Sequence, residues 1–168
     1  METLQLTETT SAHITPDQLL QYWQGNRRLT RRVIAAFPDE HFFTFSIGGM
    51  RSFADITLEL LDMAEGMPGL AHGVWKTMEE LAHVGEDRPK TKAEILQRWD
   101  AATQQIDELW PALTPERMQQ VDKAFGMYEG PVYSTLLYFI DNEIHHRGQG
   151  YVYLRALGVE PPPFWDRQ

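Results

Sequence analysis

The sequence predicts an all-α protein, a four-helix bundle carrying short extra helical segments. Three observations lead there. Four long segments repeat apolar residues at helical spacing. Start and stop signals bracket these segments. No segment shows a convincing strand alternation. A helix with one apolar stripe must bury it against another element, and four such stripes in 168 residues make one core.

Residues 1–14 read as a loose polar leader, and residues 15–168 as a single domain. Thr15, Pro16 and Gln18 open the first helix as N-cap, first residue and capping-box partner. Leu19, Leu20, Trp23, Leu29, Val33, Ile34 and Phe37 form its stripe, and Pro38 ends it. The segment 41–50, HFFTFSIGGM, is a connection that packs or a short extended piece. The second helix spans 51–67 with Ser52 or Met50 near its cap, Phe53, Ile56, Leu60, Met63 and Ala64 inward, and Pro68-Gly69 as its break. Short helical turns follow over 70–85, then a loop at GEDRPK. Thr91 and Glu94 form a second capping box for the third helix, which buries Ile95, Trp99, Ala102, Ile106 and Trp110 before Pro111. Thr114-Pro115 starts a short helical segment, and 124–131 is a loop or hairpin-like arm. The fourth helix runs from about Pro131 to about Leu157, with Gly158 as its C′ stop.

Composition narrows the function. A net charge of −9 argues against nucleic-acid binding, which needs a Lys/Arg surplus on one face. The absence of cysteine removes disulfides, thiolate metal sites and a cysteine nucleophile. The N-terminus has neither the basic nor the apolar region of a secretory signal, and no apolar run reaches membrane-spanning length, so a cytoplasmic location is expected.

The fourth helix carries the strongest functional signal. Between the apolar runs 132–140 and 151–157 lies DNEIHHRGQG. Polar groups buried without partners cost about 2–7 kcal/mol each, so a hydrogen-bonded network, a metal or a ligand must offset this block. Asn142 and His146 stand one turn apart on one face, with His145 beside them. Such spacing suits two ligands reaching one ion, although a hydrogen-bonded core network is the commoner outcome. Glu59, at the edge of the second helix's stripe, is a candidate charged partner, whereas Asp55 and Asp62 read as solvated. Arg147 reads as a partner for a carboxylate such as Glu143 or Asp62, with an anionic substrate as the alternative. Gly148 and Gly150 suit close helix packing. Met63, Tyr138 and Tyr153 are candidate pocket walls. His13, His41, His72 and His83 lie in or near loops and receive no role.

MRSFADITLELLDMAEG followed by DNEIHHRGQGYVYLRALGVEPPP resembles the DinB/YfiT-like superfamily, over almost the whole chain. The resemblance implies a four-helix bundle, commonly dimeric, with a divalent metal held by three His. The corresponding positions here are Glu59, Asn142 and His146, of which only the last is His. Glu suits Zn, Ni, Mn or Fe, while an Asn carbonyl suits harder ions. His145 is a substitute ligand or, more simply, the donor of a buried hydrogen bond; Glu143 and Arg147 complete the surroundings. The resemblance also implies metal-dependent transferases or isomerases that use low-molecular-weight thiols, the cation stabilising a thiolate. Two rivals stand beside that expectation: a metal-free or degenerate small-ligand-binding or structural dimer, and a metal-dependent hydrolase with Glu59 or Glu143 as base. A homodimer is expected from large apolar residues on the first, third and fourth helices, more than one core can hide.

Overall fold

A computed structural model describes residues 14–86 and 88–168. Four long helices form the body: α1 (Pro16–Ala36), α3 (Phe53–Ala64), α5 (Lys92–Leu109) and α7 (Val132–Ala156). Shorter pieces join them: α2 (Asp39–Phe42), α4 (Met67–His72), α6 (Pro115–Gln119) and the hairpin β1 (Val121–Ala124) and β2 (Tyr128–Pro131). α1 and α3 each pack against both α5 and α7, giving a square arrangement with α1 and α3 on one diagonal. Most of the N-terminal leader lies outside the described residues. Among the described residues, no helix is long and apolar enough to cross a membrane.

Local chemistry sets the boundaries. Thr15 Oγ1 accepts the Gln18 amide and Gln18 Oε1 accepts that of Thr15. Thr91 and Glu94 make the same reciprocal pair at α5. Each satisfies backbone donors that the first turn leaves orphaned. Ser52 caps α3 by accepting the Asp55 amide at 3.2 Å. Gly158 adopts φ +75° just past the end of α7, the left-handed stop its position predicts.

Two boundaries differ from the sequence expectation. The second helix breaks earlier, at Glu65 and Gly66, and Pro68-Gly69 lies inside α4. Pro68 is harmless there because the first turn has no intrahelical partner for its missing N–H. Residues 121–131 form a true antiparallel hairpin, with Val121 opposite Pro131 and Ala124 opposite Tyr128. Its strands of four residues are too short to show an alternation.

The core is strongly aromatic. Trp23, Trp99, Trp110, Phe37, Phe42, Phe53 and Tyr153 are buried. Phe37 stacks on Phe53 at 4.5 Å, and Phe42 meets Phe53 edge-on. Gly150 of α7 admits this cluster: a Cβ there would lie 2.4 Å from Phe53 Cε2, whereas one on Gly148 would meet nothing within 4 Å. One chain thus hides the tryptophans of α1 and α5 that suggested a partner; Tyr133, Leu137 and Val152 of α7 remain exposed.

Candidate functional site

α7 carries polar side chains on two faces, and they serve different purposes. Toward α1 and α5 they form a closed network. Arg27 is fully buried and lies 3.4 Å from the Trp99 ring centroid. It donates to Thr103 Oγ1 and the Trp99 carbonyl, and pairs with Glu143 at 3.5 Å. Burial is the main influence on its guanidinium, lowering the pKa to about 10 against the opposing pull of Glu143. Thr30 donates to Glu143 Oε1 at 2.6 Å, while Arg147 donates to Thr30 Oγ1 and to Asn26 Oδ1. Glu143 and Arg147 therefore belong to the helix interface rather than to the expected centre. Arg147 has no contact with Asp62, and its donors are taken up by α1.

The other face of α7 meets α3, and there the expected trio converges. Glu59 Oε1 lies 3.1 Å from Asn142 Nδ2 and 3.3 Å from His146 Nε2. Its other oxygen, Oε2, pairs with Arg51 at 2.5 Å. Asn142 Nδ2 also faces Met63 Sδ at 3.0 Å, and His146 Nδ1 faces Gln149 Oε1 at 2.7 Å. The His146 hydrogen bond is the main influence lowering the Glu59 pKa to about 2; Arg51 and Asn142 act with it, and burial opposes them. Burial is the largest influence on His146 and pushes it down, but hydrogen bonds to Glu59 and Gln149 together with the Glu59 charge raise it above its ordinary value.

The remaining candidates are placed as follows. His145 is exposed on the outside of α7, its ring 4.9 Å from that of His146, so it makes neither a substitute ligand nor a buried hydrogen bond. Met63 and Tyr138 line a cavity of about 580 Å³ beside Glu59. Tyr153 does not; it is fully buried, packs edge-on against Phe45, and donates to the Arg51 carbonyl at 2.8 Å. That bond anchors the backbone from which Arg51 reaches Glu59. Phe125, Tyr128, Glu129, Ser134, Thr135 and Phe139 add to the cavity wall, closed on one side by the hairpin.

Four residues with contacts here went unassigned in the sequence. Arg51 has a signal, since it immediately precedes the Ser52 cap, but nothing local aims it back at Glu59. Gln149 stands at i+3 from His146, a spacing that brings side chains together. Asp62 and His83 have no local signal. Asp62 is 1 % exposed, not solvated, and its partner His83 comes from the turn after α4. Asp55 is half-buried and pairs with Arg88.

The donor set does not fit a resident Zn, Ni, Mn or Fe ion. It holds one carboxylate, and a guanidinium already neutralises it. Asn142 turns its NH₂, a donor, toward Glu59. The His146 ring is held through Nδ1, as metal-ligating histidines are, but the Glu59 charge favours a proton at that imidazole. Among the described residues, no group of three or more His, Cys, Asp or Glu side chains is arranged to hold a metal ion.

Comparison with known proteins places the chain in a family. No curated protein matches the chain. Solved structures resemble it closely in fold. A DinB-like protein from Bacillus cereus is 19% identical with a TM-score of 0.65, covering 88% of this chain and 95% of its own. One from Bacillus subtilis is 16% identical with a TM-score of 0.68, covering 90% and 99%. A DinB family structure from Exiguobacterium sibiricum is 20% identical with a TM-score of 0.69, covering 90% and 98%. At these identities the likeness concerns the fold alone. The family's sequence profile matches residues 6–167, and the chain belongs to the DinB family.

Proposed function

We propose that this DinB-family chain binds a small organic molecule in the cavity between α3, α7 and the hairpin, with Glu59, Arg51, Asn142 and His146 as a metal-free polar centre at its edge. One observation carries the reading: both oxygens of Glu59 are already engaged, Oε2 by Arg51 and Oε1 by Asn142 and His146. A cation entering the trio would have to displace these partners. The cavity has the size of small-molecule sites, which run to roughly 300–1,000 Å³. Its walls include Glu59, Asp62 and Glu129 but no Lys or Arg among the described residues. A thiolate cosubstrate would therefore meet carboxylates, while the nearby Arg51 guanidinium is already paired with Glu59.

The test is metal titration of untagged, chelator-treated protein by calorimetry and thermal shift. Zn, Ni and Mn are expected to leave the melting temperature unchanged. Saturable binding that raises it and disappears in His146→Ala would overturn the metal-free reading, and the thiol-dependent transferase or isomerase and the hydrolase would return with the metal. We extend the proposal to a homodimer joined through Tyr133 and Leu137, which lie one turn apart on the outside of α7. Light scattering should give a dimer mass that Leu137→Asp reduces to the monomer; a monomeric parent protein would refute it.

A further inference from the structure

The same cavity holds a polar pair that the Glu59 centre does not use. Asp62 of α3 accepts the backbone amides of Ala82 at 2.7 Å and His83 at 2.9 Å, and its Oδ2 lies 2.7 Å from His83 Nδ1. Asp62 and His83 both line the cavity. Because Nδ1 faces an acceptor oxygen, it is the nitrogen that carries the hydrogen when the ring is neutral, which leaves the lone pair on Nε2. Nε2 has no hydrogen-bond partner among the described residues. A buried carboxylate that fixes the tautomer and orientation of an imidazole is the arrangement that prepares a base.

A latch for the turn is the simpler account of Asp62. That role is already met by the two backbone bonds, and the turn is closed by Gly85 donating to the Leu81 carbonyl at 2.7 Å. Neither contact requires an imidazole at position 83. The cavity's other walls say what the imidazole would meet. Phe125, Tyr128, Tyr138 and Phe139 offer four aromatic rings, and Met63 and Met78 add adaptable apolar surface. With Glu59, Asp62 and Glu129 in the wall and no Lys or Arg among its described residues, an anion is disfavoured, so an acidic group on the ligand enters in its protonated form.

We propose that His83 is a proton acceptor for a hydroxyl or thiol group on an uncharged, aromatic small molecule bound in this cavity. The ligand's X–H bond breaks as an N–H bond forms at Nε2. The electron pair stays on X, and Asp62 balances the resulting imidazolium through Nδ1–H. This inference rests on the reading above that the cavity takes a small molecule.

The experiment compares phenol with anisole, its methyl ether, on the full chain at about pH 8, between the ordinary imidazole and phenol values, where the ring is neutral and the free phenol uncharged. The phenol is expected to bind roughly tenfold more tightly, the ratio of a hydrogen bond gained over one absent. Its absorbance should move toward that of the phenolate on binding. In His83→Phe the phenol should fall to the affinity of the ether. Nitrogen NMR of the imidazoles in the unsubstituted protein gives a readout independent of any variant: phenol, but not ether, should move the His83 Nε2 resonance toward its protonated position. Equal binding of the two compounds with Nε2 unmoved would overturn the role of His83 and leave the cavity reading intact. Failure of both compounds to bind would overturn both.

Discussion

Replacing Glu143 by Ala would remove the one carboxylate within ion-pair distance of Arg27 among the described residues. Arg27 is fully buried, and burial already pulls its pKa down to about 10 with Glu143 present. Truncation leaves that guanidinium without its ion-pair partner and removes the main opposite charge near the buried Arg147, with Asp100 and Glu65 acting on Arg27 only from farther away. It also deprives Thr30 of its 2.6 Å acceptor. Breaking a buried pair in this way costs about 3–5 kcal/mol, a large share of the ~5–15 kcal/mol that stabilises a typical domain. For a chain of this length the melting temperature should fall by roughly 6–20 °C. Urea denaturation followed by circular dichroism measures the loss directly. Glu143→Gln should lose less, because its carbonyl can still accept from Thr30. Arg27→Met combined with Glu143→Leu should be more stable than Glu143→Ala, since no charge is then left stranded on α1. A loss below about 1 kcal/mol for Glu143→Ala would refute the claim that Arg27 depends on this carboxylate.

Gly150→Ala should destabilise by about 1–3 kcal/mol, because its Cβ would press on Phe53, while Gly148→Ala, in open space, should stabilise by up to about 1 kcal/mol; equal effects in thermal melts would contradict the packing argument. Glu65 pairs with Arg98 and Lys76, and these contacts outweigh burial, the largest single influence, to hold its pKa below the usual value. A depressed carboxyl contributes stability above its unfolded pKa and loses it as pH falls through its folded one. The stability difference between the parent protein and Glu65→Gln should therefore be full at pH 7 and shrink below about pH 4.3, the ordinary Glu value; a difference constant from pH 7 to strong acid would disprove the linkage.

The bundle was legible because its information is local. Thr15 with Gln18, Thr91 with Glu94, Pro111 and Gly158 each act within a few residues of themselves, through backbone groups that every helix end must satisfy. Apolar spacing told which residues face inward, and the polar block of α7 marked the helix that carries the site. Spacing also put Asn142 and His146 on one face. It could not say that Glu143 and Arg147, inside the same block, turn to the opposite neighbour, because a helix buried on two sides has no single inward face. A hairpin-like arm at 124–131 was one of two readings, but its start at Val121 and its pairing were not legible, because its strands are too short for a period to register. Arg51 on Glu59 and His83 on Asp62 were decided by the tertiary structure alone. The latter pair is separated by a turn, a second helix and a loop, and only packing of that loop against α3 brings the imidazole to the carboxylate. The sequence by itself determined which segments are helical and which face of α7 could hold a site. The tertiary structure decided which charges meet there, because a charge finds its partner by distance in space and not along the chain.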